Sequence, residues 1–381
     1  MTNVSVSGSH VLINDAPSKL LGFRVASAAH TDDWTDALIR EFPLWREHGV
    51  NAISLWLTGS SGGFARVFTV DGAISTEDSP VVARVSYGYR ERFAEVARTS
   101  GTAVFERTMR ICAAAAEHGI VVVIGVVYRH ALEPTDTRER LAAMMRSTAE
   151  YFAETPNVIL NPFNEPDGVT PLESVADLDL YVRTLKSEAP ERPAGAGGRA
   201  ADPNPAIAAL GSVEIVLTDA GRDLESSIAA YDELADCGKP VMNVESFGGN
   251  GRGHADDPTF SVASPPEYTI EFPEWRRVVG AWEIDDYHDG GGKLCQGRQS
   301  YESLIEYVGG DTSLRNHLLV HAGAWFQGAG AVPTVDKVGA FGRPGTWTNV
   351  FHLGHGTGDG TAESPGIGWI LRQFKAIRDA E

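Results

Sequence analysis

Two glutamates stand where an apolar run gives way to a loop. One lies in Ile159-Leu-Asn-Pro-Phe-Asn164-Glu165-Pro166, the other in Pro240-Val-Met-Asn-Val-Glu245-Ser-Phe-Gly-Gly249. A carboxylate pair can divide the breaking of an acetal, one member attacking carbon while the other moves a proton. Two carboxylates facing each other about 5 Å apart suit glycosidic hydrolysis with retained configuration. Either glutamate alone fits a plainer task, capping the next helix or pairing with an arginine. As a pair in this order, 80 residues apart, they favour catalysis.

For the two to face each other, the runs before them must be strands of one closed sheet. The chain supplies a series of such runs. Val4 to Pro17 alternates apolar and polar residues around Gly8-Ser9, a hairpin pattern. Leu20 to Val25 reads as the first barrel strand, Val50 to Leu57 as the second, and Ile120 to Val127 as the third. Asn157 to Phe163, Arg192 to Gly197, Val213 to Leu217 and Pro240 to Val244 follow as strands four to seven. Helical patterns lie between them. Thr31-Asp32-Asp33 caps one that runs toward His48, and Pro43 is expected to kink or split it. Others cover about Ala103 to His118, Arg138 to Glu154, Leu172 to Glu188, Asp223 to Cys237 and Tyr301 to Val308, with a closing helix from about Ile367 to Ala380. The junctions Glu47-His48-Gly49-Val50 and Glu117-His118-Gly119-Ile120 match, and both read as helix C-caps at the strand-entry end. The eighth strand is assigned to Leu318 to Phe326 in preference to Val278 to Trp282, because a good helix precedes it.

Strands alternating with helices, without a GxGxxG after the first strand, predict a single (β/α)8 TIM barrel spanning 1–381. The first 19 residues form its short N-terminal β-hairpin. Three long irregular insertions, about 58–88, 247–297 and 327–366, all follow strands. They therefore belong to the C-terminal face, where barrel enzymes keep their active sites.

The motifs and their order resemble clan A of the glycoside hydrolases, the cellulase-like barrel superfamily. The resemblance rests on Asn164-Glu165-Pro166 after strand four, a glutamate after strand seven, and the hairpin ending Asn14-Asp-Ala-Pro17. It implies that Glu165 is the acid/base, that Glu245 is the nucleophile, and that Asn164 contacts the sugar 2-hydroxyl. The chain also departs from the clan. Strand two reads Asn51-Ala-Ile-Ser-Leu-Trp56 where many members have an arginine, and Arg24 on strand one is the residue that could take its place. No tyrosine follows Leu217-Thr218-Asp219 on strand six, and Glu245 is followed by Ser246-Phe247. These differences point to an atypical family within the clan.

Further substrate-binding candidates sit at other strand ends. Tyr128 and His130 follow strand three, and His130 could bond a sugar hydroxyl or, nearly as well, a carboxylate. Trp325 on strand eight could form the aromatic floor beneath a pyranose, with Trp56, Trp282 and Trp347 as weaker alternatives for that task or as core residues. The acidic run Glu283 to Asp289 could suggest a metal site but reads more simply as a solvated loop, and His352/His355 lacks a companion HxH or HExxH, so no metal or other cofactor is expected.

Composition bounds the partners. Of 381 residues, 43% are hydrophobic and 22% charged, enough for a large core. A formal charge of −19 repels nucleic acid and anionic membranes, so a largely neutral carbohydrate is the expected partner. Cys112, Cys237 and Cys295 are too scattered for a disulfide framework, and no run is long enough to span a membrane. Met1 to Leu20 shows no signal peptide, so a cytoplasmic protein is the expectation, although a secreted one trimmed of its leader would read the same way. Two other classes fit less well: a non-catalytic carbohydrate-binding barrel, and a metal-dependent barrel hydrolase.

Overall fold

Runs such as Val121-Val-Val-Ile-Gly-Val-Val-Tyr128 are apolar on both faces, as strands covered by side chains within and helices without must be. Eight of them form one parallel sheet: Leu21–Arg24, Ala52–Trp56, Val121–Tyr128, Val158–Asn164, Gly195–Ala196, Ile215–Thr218, Val241–Asn243 and Asn316–Val320. The computed structural model describes residues 2–60, 63–87, 90–128, 131, 136–166, 174–198, 204–219, 224–246, 298–320 and 368–381. Each strand pairs with its sequence neighbours, and Leu318 opposite Leu21 joins the eighth to the first. Strand five meets strand four through the bridge Leu160–Ala194 and the bond from Leu160 N–H to Pro193 O at 2.9 Å. The ring is thereby closed, a (β/α)8 barrel in which strands four and seven face one mouth.

The eighth strand falls where the sequence favoured it, beginning two residues earlier at Asn316. The N-terminal hairpin, Val4–Ser7 with His10–Ile13, plugs the opposite end of the barrel. Val4 and Val11 pack with interior residues including Val123, Ile159, Leu217 and Leu319. Outside the ring a larger apolar layer buries the inner faces of the helices.

The helices are α1 Asp32–Glu47, α2 Gly101–Glu117, α3 Arg138–Phe152, α4 Val175–Glu188, α5 Asn204–Ala208, α6 Leu224–Glu233, α7 Arg298–Gly309 and α8 Gly368–Ala380. Thr31, Ser100, Thr137 and Ser174 cap the first four, each side-chain oxygen accepting a backbone N–H of the first turn. His48 and His118 are the expected C-caps, followed by Gly49 at φ +81° and Gly119 at φ +74°.

Two sequence readings need correction. Pro43 does not split α1, which runs unbroken through it. The insertion after strand two is not irregular. Gly59–Ser60, Gly63–Phe64, Ser79–Tyr87 and Arg90–Thr99 form a four-stranded antiparallel sheet that continues to the start of α2. Its two long strands are interrupted by charged residues and by a bulge at Val81/Val82, which blurs the period-two pattern that would have revealed them. The other two insertions, 247–297 and 327–366, lie outside the described residues. No helix among the described residues is long and apolar enough to cross a membrane.

Candidate active site

The strand ends at the barrel mouth carry the candidate residues. Strand one ends on Arg24, strand two on Trp56, strand three on Tyr128, and strand four on Asn164, with Glu165 next; Glu245 lies two residues past strand seven. All are buried, Tyr128 being the most accessible at 5%.

Glu245 is the centre of the arrangement. Its Oε2 lies 2.5 Å from Arg24 Nη1 and accepts the Asn164 side-chain N–H at 2.8 Å. An ion pair and a hydrogen bond thus meet at one carboxylate oxygen. Its backbone N–H is held at 3.1 Å by Asn243 Oδ1, and Asn161 Oδ1 treats Phe163 N–H likewise at 3.3 Å. The two strands that deliver the glutamates therefore end in the same local device, an asparagine bonding two residues ahead.

Arg24 is wholly buried, a position an arginine holds only when its charge is matched. Besides Glu245 it has Asp219 at 3.7 Å, and its guanidinium carbon lies 5.6 Å from the Trp56 ring centre and 5.4 Å from that of Tyr128. Burial by itself would lower the Arg24 pKa. The charge of Glu245, then Tyr128, Asp219 and Glu165, outweighs burial and raises it, so the cation is permanent. Space for the Trp56 ring comes from Gly125, where a Cβ would fall 1.9 Å from the indole. Trp56 and Tyr128 pack around Arg24.

Glu165 adopts φ +44°, left-handed backbone that costs a residue with a Cβ about 1–2 kcal/mol. Its N–H donates to Asp219 Oδ2 at 2.8 Å. Asp219 directly follows strand six and is completely buried. Its pKa is raised well above the usual carboxylate range, first by burial and then by the charge of Glu245, with Arg24 opposing and Glu165 adding to the rise.

The structure therefore brings together Arg24, Trp56, Tyr128, Asn164, Glu165 and Glu245. His130, Trp282, Trp325 and Trp347 lie outside the described residues. Asp219 is the residue the sequence reading missed. Its signal was present, an acid at the end of the apolar run Val213-Glu-Ile-Val-Leu-Thr-Asp219, the same rule that singled out the two glutamates. Looking for a tyrosine there hid it. Among the described residues, no cluster of three or more His, Cys, Asp or Glu could hold a metal ion.

Several solved structures superpose on this chain, among them glycoside hydrolases. XacCel5A, determined in complex with cellopentaose, superposes with a TM-score of 0.55 at 12% identity, covering 94% of this chain and 99% of that one. The chain has a clan A glycoside hydrolase-like fold. A β-glucuronidase of Bifidobacterium dentium, complexed with coumarin-3-O-glucuronide, gives 0.53 at 15% identity over 99% of this chain and 49% of its own. The Ruminococcus gnavus β-glucuronidase gives 0.53 at 11%, over 98% and 52%. Three further glycoside hydrolase structures are spanned over 65%, 60% and 62% of their length. No family model matches the chain, and no curated protein matches it in sequence. At such identities the likeness is one of fold.

Proposed function

We propose that the chain is a retaining glycoside hydrolase that cleaves an O-glycosidic bond of a largely neutral oligo- or polysaccharide by double displacement. The observation that carries this reading is the convergence of Arg24 and Asn164 on Glu245 Oε2, beside the strand-four end that bears Glu165. A cation and an amide N–H at one oxygen orient the carboxylate, and the cation favours its charged, nucleophilic form.

In the first step Glu245 attacks the anomeric carbon while Glu165 gives its proton to the departing oxygen, and the C–O bond breaks. A glycosyl ester on Glu245 results, and its negative charge is gone. Glu165, now a carboxylate, takes a proton from water as the water attacks the same carbon, and the ester bond to Glu245 breaks. The acid/base is regenerated and the anomeric configuration is retained. Asn164, whose amide N–H donates to Glu245, contacts the 2-hydroxyl of the bound sugar in this reading. Two inversions at one carbon need no cofactor.

The test is a screen of aryl glycosides and oligosaccharides with the wild type, with Glu165→Gln as the blank. Turnover by the wild type that survives EDTA, and is lost from natural linkages in the blank, is the expected result. Binding of a sugar without turnover would instead favour a carbohydrate-binding barrel. Activity abolished by EDTA and restored by a divalent metal would favour a metal-dependent hydrolase.

A further inference from the structure

We propose that Asp219 is a positioning residue for Glu165, its side chain holding the left-handed backbone turn that presents the acid/base at the barrel mouth. This deepens the assignment of Glu165 made above and rests on it.

Three observations carry the inference. Glu165 stands at φ +44°, a conformation that a side-chain-bearing residue keeps only when its surroundings fix it, and Pro166 behind it further restricts the turn. The Glu165 N–H donates to Asp219 Oδ2 at 2.8 Å, so the strained residue is tied to a side chain of strand six. Asp219 is itself anchored. Its N–H donates to Gly198 O at 3.2 Å, while the preceding Thr218 O accepts Val244 N–H at 2.9 Å, one residue before the nucleophile. The anchor therefore registers the strand-four turn against the strand-seven end.

The charges agree with this role. Asp219 faces Arg24 from strand one, Glu165 from strand four and Glu245 from strand seven. Burial and the charges of the two glutamates favour its neutral form, Arg24 and the bond from the Glu165 N–H its charged form, and either form can accept that N–H through Oδ2. An amide side chain of the same shape can accept it too. An uncharged acceptor therefore tests the geometry apart from the charge.

Two variants and two readouts test the proposal. Asp219→Ala removes the acceptor, and Asp219→Asn keeps an oxygen in its place. Amide hydrogen exchange of Glu165, followed by NMR on protein labelled with 15N-glutamate, reads the anchor whether or not any glycoside is turned over. Exchange should quicken about tenfold or more in the Ala variant, the loss of an ordinary hydrogen bond, and stay near wild type in the Asn variant. Kinetics then read the consequence. In Asp219→Ala, kcat/KM on alkyl glycosides should fall about 100-fold, because their leaving groups need the proton, while kcat/KM on dinitrophenyl glycosides, which reports glycosylation alone, should change by less than about threefold. A purely structural loss would lower both alike. Should the Ala variant fail to fold, loss of Glu165 amide protection in Asp219→Asn would by itself refute the anchor. Unchanged protection in a folded Ala variant, or equal losses on both substrate types, would also overturn it. A wild type inactive on every glycoside would defeat the functional reading, and the exchange result would still judge the anchor.

Discussion

One oxygen of Glu245 meets the Arg24 cation and the Asn164 amide N–H, both from residues that water does not reach. Removing the cation should therefore be costly in a specific way. Arg24→Met leaves Glu245 and Asp219 buried without their counter-charge, and the expected loss is about 3–5 kcal/mol in a urea titration. Adding Glu245→Gln removes much of the unmatched charge, so the double variant should regain a large part of that loss while remaining inactive. Losses that simply add would mean the ion pair does not hold Glu245. At this scale the sequence was informative in part. The glutamates were legible because an acid after an apolar strand is unusual, and Asn164 and Arg24 through the clan resemblance. Asp219 ends its apolar run in the same way, but its partner, the backbone of a residue 54 positions away, is a contact that no local pattern encodes.

Elements were more legible than contacts. Capping residues, glycines after helices and β-branched runs gave the order of strands and helices, since each rests on local backbone chemistry. The four-stranded insert sheet escaped because its longest strands answer to each other and lack a clean alternation. Strand eight carries a titration consequence of its own. His317 is buried on it and accepts the Leu20 N–H through Nδ1 at 3.0 Å, tying strand eight to strand one. Burial pushes its pKa down to about 3 from 6.5, with Asp311 opposing and Lys19 and Arg378 adding to the fall. The folded ring therefore refuses a proton that the unfolded chain takes up below pH 6.5. Its contribution to stability is present above that pH and declines as pH falls toward 3. Between pH 8 and pH 5 the wild type should lose about 2 kcal/mol from this ring. His317→Asn retains an acceptor without the titration, so urea titrations at both pH values should show a loss smaller by that amount. Parallel pH dependence in the two proteins would contradict this account.

At the largest scale a preformed charge cluster lies beside the insert sheet that follows strand two. The first insertion is a sheet, so one side of the mouth has a wall of regular structure. Walls favour a pocket for a chain end or a short oligosaccharide over a long open groove. Viscometry of a digested polysaccharide should show a slow fall in viscosity with early release of small sugars. A rapid fall with little early monomer would oppose that expectation. The central claim, that one barrel uses Glu165 and Glu245 in two successive displacements, is tested most directly by NMR of the products formed with azide. With an activated aryl glycoside, Glu165→Ala should form the glycosyl-enzyme, and azide should then give a glycosyl azide of retained configuration. Glu245→Ala, which has no nucleophile, should give the inverted azide or no product. Products of swapped configuration would reverse the two roles, and a wild type that releases sugar with inverted configuration would contradict the two-step mechanism itself.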